Sequence, residues 1–433
     1  MRIGVISLGC DKNRVDTEKM LARLTAAGHS VVSEENAADV IIVNSCAFTE
    51  DAKNEAIDEI LSAAEFKKHG DKKVIVTGCL PQRYMETLKT EFPEVDAFFG
   101  VADYDGIADA VEKVCGGGRV YACGGGDAYY GGRVLTTPYH YAYLKIAEGC
   151  GNHCTYCAIP SIRGAYRSEK PENLLAEAAR LADDGVKELI LVAQDVTRYG
   201  IDFDGKPHLA ELADKLSELS FERIRLLYLE PEMVDDELIE LVRTNSKICK
   251  YMDVPLQHVD DTVLKRMNRH TTEKYTRELV AKIKAADITL RTSFISGFPG
   301  ETEEAHEKLK KFIEDAEIDF AGIFAYSREE GTPADRMRGH LDEATKQRRA
   351  DELRAAENAV IERKAAAKVG STLRVLYDGI DYDRQSFFGR TDRQAPDIDS
   401  VVYFSSDDEV HIGEFYDVTV TGTDGIDLIG RTL

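Results

Sequence analysis

Residues 148–160 read EGCGNHCTYCAIP, and this stretch decides how the rest of the 433-residue chain is interpreted. It places Cys150, Cys154 and Cys157 on one short loop. Three thiolates at this spacing can hold three irons of a 4Fe-4S cluster and leave the fourth iron open to a small molecule. The alternative is a zinc site with His153 as the fourth ligand. Zinc ligands usually come as pairs from two loops, however, and the sequence has no second CxxC motif.

Around this loop, between residue 140 and about residue 365, six candidate strands alternate with helical patterns. The strands are expected at residues 141–146, 188–192, 223–229, 251–255, 289–295 and 320–326. This alternation predicts a partial (β/α)6 barrel of the TIM type. The cysteine loop follows the first strand, at the barrel mouth where such folds place their active sites.

The first 115 residues predict a separate α/β domain with a parallel sheet. Strands are expected at residues 3–8, 40–43 and 74–76, and helices at residues 15–27 and 50–68. Cys10, Cys46 and Cys79 each follow one of these strands. Any one of them alone would be read as a small buried hydrophobe. Because parallel strands end at one edge of a sheet, we expect the three to converge and to hold a second 4Fe-4S cluster.

Two further segments complete the predicted multidomain α/β architecture. Residues 116–136 are rich in glycine and predict a flexible linker. From residue 368 the helical pattern stops, and strands expected at 373–377, 401–404 and 415–420 predict a small antiparallel β-barrel of the OB-like kind. Residues 370–433, which form this barrel, carry thirteen acidic and five basic residues.

The composition limits the classes of function. The formal net charge of −23 favours basic partners and argues against a nucleic-acid substrate, although many proteins are acidic for solubility alone. Nine cysteines with no signal-peptide pattern predict a reducing, cytoplasmic setting, and no apolar run predicts a membrane span. Cys115, Cys123 and Cys249 fit neither cysteine pattern and are interpreted as structural or incidental.

Several phrases resemble the radical S-adenosylmethionine (SAM) methylthiotransferase family. They are SLGCDKNRVDTE at residues 7–18, NSCAF at 44–48, VTGCL at 76–80, EGCGNHCTYCAIP at 148–160 and SIRG at 161–164. The resemblance covers nearly the whole chain. It implies a methylthiotransferase domain over residues 1–115, a radical SAM core over 137–367 and a TRAM barrel over 368–433.

The same resemblance implies two 4Fe-4S clusters and SAM as cofactors. Cys150, Cys154 and Cys157 would hold the cluster that binds the amino and carboxylate groups of SAM, with Tyr156 near the adenine. Reductive cleavage of SAM would yield a radical that abstracts a hydrogen atom from an unactivated carbon. The carbon radical would then meet a sulfur held by the cluster at Cys10, Cys46 and Cys79, and a second SAM would supply the methyl group.

Other side chains are weaker candidates for cofactor binding. Gln194 and Asp195 follow the second barrel strand, where radical SAM enzymes often place a contact to the SAM amine, but turns also favour such residues. Arg163 and Arg167 could neutralise a carboxylate of SAM or substrate, or could face solvent. Lesser candidates follow later strands: Gln257, His258, Ser296, Gly297, Gly300 and Glu301.

Within the family, MiaB-like enzymes act on adenosine in tRNA, and RimO-like enzymes act on an aspartate β-carbon of ribosomal protein S-twelve. The phrases CDKN at residues 10–13, AIPSIRG at 158–164, SREEGT at 327–332 and GRTDRQAPDID at 389–399 resemble the RimO-like branch. The prediction is therefore a protein methylthiotransferase that also needs an electron donor and a sulfur donor. A tRNA methylthiotransferase and a non-catalytic metal-binding protein remain the alternatives.

Overall fold

The computed structural model describes residues 1–101, 103–124 and 132–433. The chain divides into two compact units. The first unit contains Met1–Thr136, Glu148–Arg167 and Ser327–Asp335, and the second contains Thr137–Ala147, Ser168–Tyr326 and Arg336–Leu433. Both predicted cysteine sites therefore belong to the first unit. The domain boundaries expected from the sequence are continuous ranges and do not coincide with these two units, so they stay a prediction.

The first unit is built on a parallel sheet of six strands. The strands are β1 (Arg2–Ser7), β2 (Ser30–Val32), β3 (Val40–Ser45), β4 (Lys73–Gly78), β5 (Ala97–Phe99) and β6 (Val120–Ala122). They lie in the order β2-β1-β3-β4-β5-β6. The helices are α1 (Asp11–Ala26), α2 (Glu50–Glu65), α3 (Cys79–Glu91), α4 (Ile107–Cys115) and α5 (Ile159–Arg163).

The expected strands and helices of this sheet are confirmed. Every residue of β3 is buried, as its continuous apolar run predicts for the middle of a parallel sheet. At the start of α2, the Thr49 hydroxyl accepts a hydrogen bond from the backbone N–H of Ala52 and caps the helix. Residues 120–122 differ from expectation, because inside the predicted linker they pair with β5 as the edge strand β6. Residues 125–131 of that linker lie outside the described part of the chain.

The second unit contains the predicted partial barrel. The six strands of this barrel are β7 (Tyr141–Lys145), β10 (Glu188–Val192), β11 (Arg223–Leu226), β12 (Tyr251–Asp253), β13 (Thr289–Ser296) and β14 (Phe320–Ala325). Two short strands, β8 (Ala147–Glu148) and β9 (Arg167–Ser168), lie where the chain passes from one unit to the other. Strands β7, β10 and β11 pair in parallel, as do β12, β13 and β14. The Leu229 N–H donates to the Asp253 carbonyl at 2.8 Å and joins the two halves. The six-stranded arrangement is confirmed.

Eight helices accompany these strands in the described residues. They are α6 (Pro171–Asp183), α7 (Ile201–Asp204), α8 (Leu209–Ser217), α9 (Asp236–Thr244), α10 (Asp261–Arg266), α11 (Glu273–Ala285), α12 (Glu303–Ala316) and α13 (Glu343–Ala366). The expected apolar face of α8 is buried through Leu209, Leu212 and Leu216. Within the described ranges, we find no helix with the length and apolar character that crossing a membrane requires.

The chain ends in a closed five-stranded barrel, also part of the second unit. Its strands are β15 (Thr372–Asp381), β16 (Ser386–Arg390), β17 (Val402–Ser405), β18 (Phe415–Asp424) and β19 (Asp427–Thr432). Four of its five pairings are antiparallel, and β17 pairs with β19 in parallel. A buried ion pair fixes it to the partial barrel, because Glu188 of β10 contacts Arg390 of β16 at 3.1 Å. Glu188 also pairs with Arg225 of β11, inside the partial barrel, at 2.7 Å.

Candidate functional site

Three cysteines lie at the carboxyl ends of neighbouring strands in the first unit. Cys46 directly follows β3, Cys79 directly follows β4 and begins α3, and Cys10 lies between β1 and α1. A Cβ atom placed on Gly9 would come within 2.8 Å of the Cys46 Cβ and 3.0 Å of its sulfur. The loop that carries Cys10 therefore packs directly on Cys46, and the topology brings the three predicted residues to one edge of the sheet.

Two of these thiols, those of Cys46 and Cys79, lie in surroundings that disfavour their ionisation. Cys46 and Cys79 are buried and Cys10 is exposed. Burial, together with the neighbouring Cys79 and Cys10, raises the pKa of the Cys46 thiol to about 12. Burial also raises the pKa of Cys79, although the nearby Arg163 guanidinium acts in the opposite direction. A bound cation would relieve this cost, and thiolates are the ligands preferred by iron–sulfur clusters and zinc, so this donor set fits a metal centre.

A glycine in the left-handed region precedes three of the six cysteines. The pairs are Gly9-Cys10, Gly78-Cys79 and Gly149-Cys150, with glycine φ values of 85°, 99° and 78°. A Cβ on Gly78 would lie 2.5 Å from the Ser45 carbonyl oxygen, and one on Gly149 would lie 2.7 Å from the Gly164 carbonyl oxygen. These turns therefore require glycine. The Gly-Cys dipeptide is a signal in the sequence that our sequence analysis did not use.

The second cysteine set lies on the loop before α5. Cys150, Cys154 and Cys157 are all half-buried. The Cys157 N–H donates to the Cys154 carbonyl at 3.1 Å, and the Ile159 N–H donates to the Cys157 sulfur at 3.4 Å. Backbone N–H groups aimed at a ligand sulfur are a feature of iron–sulfur sites, where they tune the cluster. The short spacing thus gives a local turn with three thiols that fits one cluster.

A cavity of about 530 Å³ lies beside this loop within the first unit. Cys154 and Cys157 line it together with Tyr84, His153 and Pro333. The Ala334 N–H donates to the Thr155 carbonyl at 2.8 Å, so residues 327–335 close against the cysteine loop. A space of this size suits a small-molecule ligand.

Arg163, at the end of α5, has partners other than the expected carboxylate of SAM or substrate. It is 4% exposed. One terminal nitrogen contacts the carboxylates of Asp16 at 2.7 Å and Glu148 at 3.1 Å. The other donates to the Asn13 amide oxygen at 3.0 Å and to the Cys79 sulfur at 3.4 Å. Arg163 therefore joins the loop after Cys157 to a cysteine of the other set. Arg167 is exposed.

The polar side of α1 is buried, which the sequence analysis missed. Asn13, Asp16, Thr17 and Glu18 are each no more than 2% exposed. The Asn13 amide donates to the Leu8 carbonyl at 2.7 Å and holds the turn before Cys10. Polar residues at helical spacing ordinarily predict a solvated face, so only the contacts show that this face supports the cysteine turns.

The predicted SAM-contact residues Gln194 and Asp195 follow β10 in the second unit. Gln194 is half-buried. The Asp195 carboxylate is buried and accepts hydrogen bonds from the Thr197 N–H at 3.1 Å and from Arg198 at 3.2 Å. Those contacts match the turn role that the sequence left open for Asp195. Contact of either residue with SAM stays a prediction.

Among the lesser candidates, His258 and Glu301 are both fully buried and lie 3.5 Å apart. Glu301 also accepts a hydrogen bond from the Gly297 N–H at 2.8 Å and pairs with Arg349 at 2.8 Å. These contacts hold the chain between β13 and α12. Cys249 is buried, Cys115 ends α4, and Cys123 is exposed after β6, as their incidental interpretation expects.

Family models match three parts of the chain. They describe the uncharacterized protein family UPF0004 over residues 2–100, the Radical SAM superfamily over 144–313 and the TRAM domain over 369–433. The middle match establishes that the chain uses SAM with a 4Fe-4S cluster.

Solved structures with a similar fold are also radical SAM enzymes. The radical S-adenosylmethionine methyltransferase TsrM of Kitasatospora setae, with tryptophan and a SAM analogue, aligns with a TM-score of 0.57 at 12% identity. That alignment covers 84% of this chain and 90% of TsrM. The cobalamin-dependent enzyme OxsB aligns with a TM-score of 0.52 at 12% identity, over 83% of this chain and 56% of OxsB. At such identities the likeness concerns the fold alone.

Curated relatives match over the full length. A protein of Lachnoclostridium phytofermentans is 46% identical, one of Thermoanaerobacter sp. 44%, and each alignment covers 99% of both chains. One of Clostridium tetani is 45% identical over 99% of this chain and 98% of its own. All three are named ribosomal protein uS12 methylthiotransferase RimO. With these relatives and the three matching domains, the chain belongs to the RimO family of radical SAM methylthiotransferases.

Proposed function

We propose that this protein adds a methylthio group to the β-carbon of an aspartate in ribosomal protein uS12. One observation carries the proposal: two sets of three cysteines lie in a single compact unit, and Arg163 links the loop of one set to a sulfur of the other. Sulfur insertion at a C–H bond without an acidic proton needs both a hydrogen-atom abstractor and a nearby sulfur source. Two cluster sites in one unit supply the two functions.

The cluster that works with SAM is assigned to Cys150, Cys154 and Cys157. When bound, it supplies the one-electron reduction of SAM that makes hydrogen abstraction from an unactivated carbon feasible. The protein contributes the loop geometry, since the Gly149 turn presents Cys150 and the Ile159 N–H supports the Cys157 sulfur. The adjoining cavity of about 530 Å³ has room for a cofactor of the size of SAM. The assignment of Tyr156 to the adenine rests on the family resemblance, since Tyr156 is not among the residues that line this cavity.

A second 4Fe-4S cluster is assigned to Cys10, Cys46 and Cys79. The support is the burial of Cys46 and Cys79, the raised pKa values that a bound cation would offset, and the hydrogen bond from Arg163. Residues of this chain bind and orient that cluster, and the sulfur that is transferred comes from a donor outside the chain. An external electron donor is required as well.

The charge of the chain fits a basic protein substrate. The net charge is −23, and the final barrel alone carries thirteen acidic against five basic residues. Such a surface attracts a basic ribosomal protein and repels a phosphate backbone. Since the substrate named for the relatives is ribosomal, we place the enzyme in the cytoplasm.

Mass spectrometry of uS12 tests this proposal. The protein is isolated from cells with the gene, without it, and with a Cys154→Ala copy. We expect one added methylthio group on an aspartate only with the intact gene. A purified enzyme that modifies tRNA adenosine and leaves uS12 unchanged would contradict the proposal and favour the tRNA branch.

A further inference from the structure

Arg163 is the buried cation that contacts a predicted cluster cysteine in the described part of the chain. Its terminal nitrogen lies 3.4 Å from the Cys79 sulfur, and the residue is 4% exposed. The predicted role of Arg163 as a carboxylate clamp leaves this contact unexplained. A buried, permanently charged group beside a ligand sulfur is a means by which proteins set the redox properties of a metal centre.

The charges that face Arg163 come from several elements. Asp16 lies on α1, Glu148 on β8 and Cys79 on α3, and Asn13 of α1 adds a neutral acceptor. Tyr104 contacts the Asp16 carboxylate at 3.4 Å. Two carboxylates hold the guanidinium in place, and each offsets part of its positive field. Arg163 is nevertheless in direct contact with the sulfur.

We propose that Arg163 is a positioning residue that fixes the Cys79 sulfur and raises the reduction potential of the cluster held by Cys10, Cys46 and Cys79. This inference rests on the proposed second cluster. A positive charge at the sulfur stabilises the reduced state, which carries one more electron, relative to the oxidised state. Asp16 acts in the opposite sense, because its negative charge weakens the field of Arg163 at the same sulfur.

Because Arg163 and Asp16 carry opposite charges, removing each charge should shift the reduction potential of the cluster in opposite directions. Full-length protein with Cys150, Cys154 and Cys157 changed to alanine isolates the N-terminal cluster, whose midpoint potential is then titrated with a spectroscopic readout. In this background we expect Arg163→Gln to lower the potential, with about a tenfold fall in the reduced-to-oxidised ratio at fixed applied potential, or about 59 mV for one electron. Asp16→Asn, which keeps an acceptor but removes the charge, is expected to raise it.

Two further variants separate this effect from loss of structure. Arg163→Lys keeps the charge and is expected to restore most of the potential. Arg349→Gln removes another buried arginine that is paired with Glu301 in the second unit, and it is expected to leave the potential unchanged. A purely structural role of Arg163 would change the iron content without producing shifts of opposite sign.

The outcomes distinguish this inference from the proposed function. Background protein that binds no iron would overturn the second-cluster assignment and the inference with it. Iron-loaded Arg163→Gln with an unchanged potential would overturn only the inference. If that variant does not fold, Asp16→Asn decides alone, and a potential that falls or stays constant in it would refute the role of Arg163.

Discussion

The two cysteine sites of the first unit are built in different ways. Cys150, Cys154 and Cys157 lie within eight residues of one another, and hydrogen bonds of a local turn arrange them. Cys10, Cys46 and Cys79 are spread over seventy residues and meet because β1, β3 and β4 are adjacent and parallel. The first site depends on a loop, whereas the second depends on the sheet.

This difference has a chemical consequence. The loop cysteines are half-buried, and two of them, Cys154 and Cys157, line a cavity from which a small cofactor could reach a bound metal. Two of the sheet cysteines are buried, and burial raises the pKa of the Cys46 thiol to about 12. A site of the first kind suits exchange of a ligand such as SAM at each turnover. The second kind suits a centre that stays bound.

The largest expected effect is that of Cys154→Ala, which removes one of the three proposed cluster ligands from the loop. We expect complete loss of SAM cleavage, because three thiolates are needed to leave a single open iron. Iron should fall from about eight to about four per chain, since the sheet site keeps its own cluster. Anaerobic reconstitution followed by iron analysis and detection of 5′-deoxyadenosine measures both. Loss of all iron would show that the two sites do not assemble independently.

The complementary change, Cys46→Ala, removes a proposed cluster ligand from the sheet site. Here we expect SAM cleavage to persist, methylthio transfer to stop, and iron again to fall to about four per chain. The measurement is 5′-deoxyadenosine against modified uS12 in the same reaction. Cys249→Ala, at a buried cysteine in the second unit, is the control and should keep transfer. Transfer by Cys46→Ala would contradict the sulfur role of this site.

A smaller effect is expected from the turn that presents Cys79. In Gly78→Ala the new Cβ would meet the Ser45 carbonyl oxygen at 2.5 Å in a backbone with φ of 99°. We expect about 3 kcal/mol lower free energy of unfolding and partial loss of iron from the sheet site, with SAM cleavage retained. Chemical denaturation and iron analysis measure these quantities.

The matched control for this change is Gly28→Ala. Gly28 has a similar φ of 86°, but nothing lies within 4 Å of a Cβ there. It should cost about 1 kcal/mol for the backbone alone and leave the iron content unchanged. Equal losses in the two variants would mean that the Gly78 turn carries strain but no steric requirement.

The same contrast explains what the sequence could predict. The loop site was predictable from spacing alone, and the sheet site from three apolar runs that each end near a cysteine. Strand β10 of the partial barrel was found for the same reason, because buried parallel strands tend to be continuously apolar. Strand β11 is less regular, since it alternates buried arginines with apolar residues. In the final barrel, β16 and β19 were not predicted, since Gly389 and Gly430 interrupt their apolar pattern.

The surroundings of the cysteines were less predictable. Asn13 and Asp16 sit at polar positions of an amphipathic helix, and polarity at such positions indicates solvent unless the partner is known. Their partner, Arg163, lies nearly 150 residues away in the sequence. A buried polar network is specified by tertiary contacts, and no periodicity in one segment reveals it.

The smallest expected effect concerns Glu188, a buried carboxylate outside both cysteine sites. Arginine side chains offset the cost of burying this charge, whereas a bound metal would have to do so for the thiols of the sheet site. Burial by itself would raise the pKa of Glu188, but Arg225 and Arg390 outweigh it and hold that pKa at about 2, below the ordinary 4.5. The stabilisation is therefore complete above pH 4.5 and is lost as the pH falls toward 2.

Between pH 6 and pH 3.5 we expect Glu188 to account for about 1 kcal/mol of lost unfolding free energy. Glu188→Gln should remove that part of the slope, whatever its effect on stability at neutral pH. Glu240→Gln, which alters an exposed pair with Arg243, is the control and should change the slope far less, because solvent screens that pair. An unchanged slope in Glu188→Gln would mean that the arginines do not hold this carboxylate ionised. Glu188 would then not differ from the sheet thiols, whose ionisation in a buried site would require a bound metal.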